Sequence, residues 1–509
     1  GKKLTVIAWL WARTVPSPNP ALGGVHVPLV NSFAVSTKPG RETIVTPETD
    51  PKSGTYKFTI KSKGLSKNEI EKAKMGTKFG KAEDFFCILS GTPIDRSYIR
   101  DHGKAGKLGL TLLAVVAKPA DGRGRLYLPS DAVNSCRQLR PNENSETESA
   151  RETFLSGGTP TRAMITGGVC SAYGLDTWGK IFTDQQLTAL LTFSELVEEA
   201  GAQAASDAGS QDYNEYLKPY LALAVGRAAD AWSTLVGWRN SVEATRGTFA
   251  RQALPMVWDF AEANPFSDQC GNWMDACIGW IPKALERTPA QPAGEIYQKD
   301  AQKLFNQSSS VAFSTDPPYY DNVAYSELSD FFYSWIRQSL QKTYGETFGT
   351  ITTPKQNELI AAPHRAGSRE NAEKFFMGGM TNVLKLMAEQ TPVGIPVSIF
   401  YAFKQSETQK GGITSTGWAT FLESVVTSGF AVASTLPMRT ERAGRSVSIG
   451  TNALASSIVV VCRKRPINAT SMSRSGFLQC LRAELPEALD QLRRAAIAPV
   501  DLQQAAIGP

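Results

Sequence analysis

Ser310-Val311-Ala312-Phe313-Ser314-Thr315-Asp316-Pro317-Pro318-Tyr319-Tyr320 is the stretch whose reading decides the fold. A short β-prone run meets an acid, two prolines and two aromatic residues. Proline has no backbone N–H and fixes its own φ, so a strand over Val311–Ser314 must end at Asp316. Asp316 and Tyr319 are then presented at a carboxyl strand end, where open α/β sheets keep their ligands. The Asp316 carboxylate and the Pro317 carbonyl can accept both hydrogens of an exocyclic amino group. The Tyr319 ring can stack on the flat base that carries it. The plain alternative is a strand-to-loop turn that happens to contain these four residues.

The totals bound the answer loosely. A chain of 509 residues has length for roughly two to four domains. Its 42% hydrophobic and 20% charged content is ordinary for a globular protein. The net charge of +6 mildly favours a polyanionic partner. Seven scattered cysteines predict reduced thiols in a cytoplasm. Apolar runs such as Leu108–Ala117 are too short to span a bilayer. Leu4–Trp11 follows two lysines like a signal peptide but runs into Arg13 without a small-residue cleavage site, so a strand is expected. The chain opens without methionine and stops at Gly508-Pro509, which reads as a piece of something longer.

Residues 1–130 read as β-rich, with strands over Trp9–Val15, Ser32–Ser36, Tyr56–Ile60 and Leu110–Ala117 between turns. Lysines between Lys52 and Lys81 form a solvated face or a phosphate-contacting strap. Two turns, Ser17–Gly24 and Cys87–Ile94, have the shape of zinc knuckles. Structural zinc needs four N or S ligands. Only Cys87 is present; Ser17, Leu22 and Ser90 stand where thiolates belong, and His26 and His102 do not keep the spacing. No metal is expected there. Residues 131–300 read as mainly helical, a possible target-recognition region, after an exposed polar loop over Asn142–Thr153. Ser156-Gly157-Gly158-Thr159-Pro160 lacks the ending of a phosphate-binding loop. Leucine spacing predicts a helix from Asp184 and another over Pro219–Trp238. Asp259 and Glu262, in an aromatic segment, are core-flanking or face a cleft; Cys270 and Cys277 are too far apart for a knuckle.

Residues 301–470 carry the Asp-Pro-Pro-Tyr stretch and then alternate helix and strand. Helices are expected over Leu328–Leu340, Glu370–Gln390 and Trp418–Thr427. Strands are expected over Ile395–Phe403, Gly429–Thr435 and Leu454–Cys462, with a helical tail over 471–496.

The tetrapeptide resembles motif IV of the amino-methyltransferases, which methylate adenine N6 or cytosine N4. The wider wording resembles the DUF1156-type adenine-specific DNA methyltransferases, described as containing a zinc ribbon. The resemblance runs through Trp11–Val15, Gly103–Lys107, Arg251–Asp259, Asp316–Asn322, Ser329–Tyr333, Phe400–Gln405, Ser415–Trp418, Met438–Glu441 and Ala453–Ile458. It implies an α/β fold: the later strands of a Rossmann-like methyltransferase sheet, the last two an antiparallel hairpin, preceded by a degenerate zinc-ribbon-like insert. It implies S-adenosylmethionine as cofactor and DNA as partner, in a bacterial or archaeal restriction-modification or phage-defence setting. Asp316, Pro317, Pro318 and Tyr319 would be catalytic, and Tyr320 and Asn322 would line the base pocket or pack a loop. Lys404, Arg439, Arg442 and Arg445 would meet phosphates or remain plain surface cations. Such enzymes carry a glycine-rich cofactor loop after their first strand; none precedes Trp11 here. The cofactor half would be an N-terminal segment or a separate subunit. The competing expectations are a non-catalytic DNA-binding or scaffold subunit, or an amino-methyltransferase acting on RNA or cytosine.

Overall fold

The computed structural model describes residues 4–80, 84–119, 122, 124–133, 145–164, 169–250, 252–288, 291–303, 311–320, 323–401, 416–438 and 457–494. The fold is mixed α/β and divides into two compact units. One comprises residues 1–294 and 325–354, the other 295–324 and 355–509.

The first unit is organised on an antiparallel sheet. Its strands are β1 (Leu4–Pro16), β2 (His26–Leu29), β3 (Gly109–Pro119), β4 (Leu126–Leu128) and β5 (Asp259–Ala263). The order is β4-β3-β1-β5, with β2 also on β1. The apolar run after Lys3 is thus the middle of a sheet. Its length comes from β-branched and aromatic residues uninterrupted by proline until Pro16. Residues 1–130 and 131–300, distinct in composition, share this sheet, because Trp9 of β1 lies opposite Glu262 of β5.

Helices α1 (Arg96–Lys104), α2 (Asp184–Ala208) and α3 (Asp212–Trp232) belong to the same unit. Thr183 starts α2 through a capping box with Gln186, each side chain bonding the other's backbone N–H. The spacing placed α3 over Pro219–Trp238, but the helix starts at Asp212 and ends at Trp232, with Pro219 inside it. A proline in a helix leaves the carbonyl four residues back without its donor. That carbonyl, of Glu215, accepts a long 3.4 Å bond from the Tyr344 hydroxyl. At the other end, Gly237–Arg239 is a strand paired with Ala244–Arg246.

Helix α4 (Tyr325–Leu340) follows the Asp-Pro-Pro-Tyr stretch in sequence yet packs into the first unit. Its apolar stripe carries Phe331 and Trp335 into a cluster of rings. Phe331 lies 5.7 Å from Trp178, 6.0 Å from Phe182 and 5.1 Å from Phe249.

The second unit has a four-stranded sheet of β6 (Ser314–Thr315), β7 (Val397–Tyr401), β8 (Phe430–Met438) and β9 (Ser457–Lys464). The order is β6-β7-β9-β8. β6 runs parallel to β7, β9 antiparallel to β7, and β8 and β9 pair antiparallel. Alternate β7 residues Val397, Ile399 and Tyr401 are buried. They share a core with Phe376 and Met380 of α5 (Arg369–Gln390) and Phe421 and Val425 of α6 (Thr416–Thr427). A tail helix α7 spans Arg474–Arg494. The strand expected over Val311–Ser314 is shorter and later: ladder pairing is confined to Ser314 and Thr315. Phe313 still contributes its carbonyl, which accepts from Ser398 N at 3.0 Å. Among the described residues, no helix is long and apolar enough to cross a membrane.

Phe331 is 1% exposed and surrounded by rings, so Phe331→Ala should cost about 3–5 kcal/mol of stability. Denaturant unfolding followed by tryptophan fluorescence reads this directly; a loss below about 1 kcal/mol would remove α4 from the core of the first unit.

Candidate functional site

Thr315 is the last ladder residue of β6, and the chain leaves the sheet at Asp316 as the two prolines require. Asp316 is exposed, and Pro317, Pro318 and Tyr319 are half-buried. The Tyr319 hydroxyl donates to Asp316 Oδ1 at 2.7 Å, closing acid and ring into one corner. The ring stands edge-on to Tyr401, with centroids 5.6 Å apart. Tyr401 is fully buried and stacks on Phe421 at 4.2 Å. The corner therefore rests on an aromatic column rooted in the core. A carboxylate held beside a ring on such a base can accept amino hydrogens while the ring faces a planar group.

Tyr320 takes a different role. It adopts a left-handed backbone with φ of 49°, uncommon for a residue with a side chain. Its N–H bonds Pro318 O at 3.2 Å, and its carbonyl accepts from Ala361 N at 2.9 Å. The ring is 6% exposed, 5.2 Å from Phe376, and its hydroxyl donates to Glu373 Oε1 at 2.8 Å. Tyr320 is thus packed against α5 and anchors the turn, rather than opening a base pocket. Asn322, Lys404, Arg439, Arg442 and Arg445 lie outside the described residues.

The two knuckle-shaped turns do meet. The Ser17 hydroxyl donates to the buried Cys87 Sγ at 3.4 Å. Cys87 closes its own turn through Cys87 N to Thr92 O and Gly91 N to Cys87 O, both 2.8 Å. Burial pushes the Cys87 thiol up, but hydrogen bonds from Ser17, Ser90 and the Leu89 and Ser90 backbone outweigh it and leave the thiol below its ordinary value. One sulfur among hydroxyls does not fit tetrahedral zinc. His26 instead sits 2.9 Å from Thr14 Oγ1, and His102 2.9 Å from Tyr98 O. Among the described residues no group of three or more His, Cys, Asp or Glu could hold a metal ion. Burial raises the Cys277 thiol to about 12, which makes it an inert core group.

Among the described glycines of the second unit, Gly379 most tightly excludes a side chain: a Cβ there would meet Leu359. Comparison with protein-family models, with characterised proteins and with solved structures finds no match.

Tyr401, Phe421 and Glu373 support the corner and were not singled out in the sequence. The apolar run Ile395–Phe403 hints at Tyr401 through strand alternation, but nothing local marks Glu373.

Of the two acids in the aromatic segment, Asp259 Oδ1 accepts from Asn31 N at 3.0 Å and Asn31 Nδ2 at 2.7 Å. Burial pushes its carboxyl up, against those hydrogen bonds. A carboxyl raised on folding binds protons more tightly in the native state. Its ionisation therefore costs stability as pH rises through the raised value, and that cost is absent in acid. Asp259→Asn should match or exceed the parent melting temperature at pH 8 and lose any advantage at pH 4. The opposite ordering in thermal scans would contradict the burial argument.

Proposed function

We propose that this chain is the catalytic portion of an S-adenosylmethionine-dependent DNA methyltransferase acting on the exocyclic N6 of a flipped adenine. The observation that carries the proposal is the Asp316–Tyr319 corner at the carboxyl end of β6, held 2.7 Å together on a buried aromatic column. The β8–β9 antiparallel hairpin beside a parallel β6–β7 pair supports it, since the resemblance implies such a sheet.

In this reading the base leaves the duplex at a cost of a few kcal/mol. Tyr319 stacks on it, recovering about 1–3 kcal/mol. Tyr319 must first release Asp316, whose carboxylate then accepts one amino hydrogen while the Pro317 carbonyl accepts the other. Both bonds localise the nitrogen lone pair, and alignment lowers the barrier without a covalent intermediate. S-adenosylmethionine would supply the methyl group, held by a segment or subunit that completes the site. Asp at the first motif position favours adenine within the resembled family. Marking self DNA beside a restriction or antiphage partner, in a bacterial or archaeal cytoplasm, is the role that fits this chemistry. The sequence before Trp11 carries no glycine-rich cofactor loop, and this supports one other reading, a non-catalytic DNA-binding or scaffold subunit.

The test is transfer of labelled methyl groups to adenine-containing duplex DNA by the protein assembled with its cofactor-binding part. Asp316→Ala should lower the rate by about a hundredfold or more, and Tyr319→Phe, which keeps the stacking ring, by less than tenfold. Unchanged transfer by Asp316→Ala would remove that residue from the mechanism. DNA binding without transfer by the assembled parent would select the scaffold reading.

A further inference from the structure

Trp11–Val15 and Gly103–Lys107 stand far apart in sequence, yet Trp11, Arg13, Gly103 and Gly106 line one cavity of about 490 Å³ in the first unit. The residues that open α2, Thr183, Asp184 and Gln185, line it too. Glycine at 103 lets the end of α1 lie against Tyr173, because a Cβ there would meet the Tyr173 carbonyl oxygen at 2.2 Å.

Arg13 is 5% exposed and reaches the cavity from β1. Its Nε donates to Val257 O at 2.9 Å, and its Nη2 donates to Thr234 O at 3.1 Å and Thr234 Oγ1 at 2.9 Å. Phe260 lies 5.5 Å from the guanidinium carbon. All of these partners are neutral. Burial pushes the guanidinium down to about 10, so it remains charged at neutral pH. The titratable neighbour it feels is the Cys170 thiol, which burial pushes up to about 11 and so keeps uncharged. A buried charge is ordinarily paired, and Arg13 has no carboxylate partner among the described residues. Its remaining nitrogen, Nη1, makes no hydrogen bond and is not sealed from solvent, so this edge of the fork opens on the cavity.

The arginine is also tied to the start of α2. Thr234 Oγ1, its acceptor, donates in turn to Ile181 O at 2.9 Å, two residues before the Thr183 cap. Helix α2 is 25 residues long, and the N–H groups of Asp184 and Gln185 have no acceptor among the described residues. Such groups, at the positive end of the helix dipole, favour an anion. Arg151 and Lys180 add positive charge to the wall. Two carboxylates line it as well: Asp184 holds Arg151 at 2.5 Å, and Glu262 accepts from Trp11 Nε1 and Thr183 Oγ1. Three cations against two carboxylates leave the lining positive.

We propose that this cavity binds a phosphate group, with Arg13 Nη1–H and the first N–H groups of α2 donating to its oxygens. A phosphate has oxygens enough to meet the arginine, the helix end and Lys180 at once; a planar carboxylate has only two. The phosphate could belong to a small molecule such as a nucleoside monophosphate or to the backbone of duplex DNA. The proposal stands apart from methyl transfer, since no residue of the Asp316 corner takes part in it.

The experiment is calorimetric titration of the full chain with inorganic phosphate, adenosine monophosphate, a short DNA duplex and, as control, acetate. Phosphate or the nucleotide binding at least tenfold tighter than acetate identifies a small-molecule site, and binding of the duplex alone identifies a backbone site; both support the assignment. Arg13→Lys keeps the charge but lacks the second arm of the fork, and should weaken binding at least tenfold with the far-ultraviolet dichroism unchanged. Lys180 is exposed, and its surface bridge to Asp176 adds little stability. Lys180→Glu should therefore fold and weaken binding about fivefold, and it decides the matter if Arg13→Lys does not fold. No binding by any ligand, binding no tighter than that of acetate, or full binding by the deciding variant would overturn the assignment.

Discussion

The chain cannot remain a strand beyond Thr315, and much of the second unit follows from that. Two consecutive prolines deny the sheet two donors, so the peptide turns away where its side chains are most exposed. The turn is then secured from the far side. Tyr320 takes a strained left-handed backbone, and its carbonyl, ring and hydroxyl are each engaged, by Ala361, Phe376 and Glu373. Such strain costs on the order of 1–3 kcal/mol and persists only where the surroundings over-determine it. Tyr319 is thereby left facing the other way, onto Tyr401 and beside Asp316. One tyrosine anchors; its neighbour is displayed.

How far the sequence foretold this depends on the range of the interactions. Local signals performed well for the strand end near Asp316, the strand within Ile395–Phe403 and the helix from Asp184. Each declares itself within a few residues, though β7 is shorter than the apolar run and buries only alternate residues. The β8–β9 pairing was implied only by the resemblance. The extent of α3 did not declare itself, because Pro219 reads as a helix start. Inside the helix it is tolerated with a hydroxyl from Tyr344, well over a hundred residues away in sequence, on the orphaned carbonyl. The place of α4 was equally hidden. Its apolar stripe was plain, but a stripe does not name its partners, and those are Trp178, Phe182 and Phe249. Composition separated residues 1–130 from 131–300, while strand pairing between Trp9 and Glu262 unites them.

The site was legible in part for the same reason. Asp316 and Tyr319 sit three residues apart, within the reach of a turn. Glu373 meets Tyr320 through folding alone, so no spacing rule could name it. The two knuckle-like turns were recognisable by shape, and the contact between Ser17 and Cys87 brings them together. A weak O–H···S bond joins them, and the Cys87 turn is closed by its own backbone.

The phenol–carboxylate bond of the resting corner has a consequence for selectivity. An incoming hydroxyl can only exchange one O–H···O contact for another of the same kind, so the swap has no net drive. An amino group brings two hydrogens and can satisfy the acid and a nearby carbonyl together. In the proposed function, the corner would sort visitors by how many protons they offer before any chemistry begins, with its own tyrosine as the reference competitor.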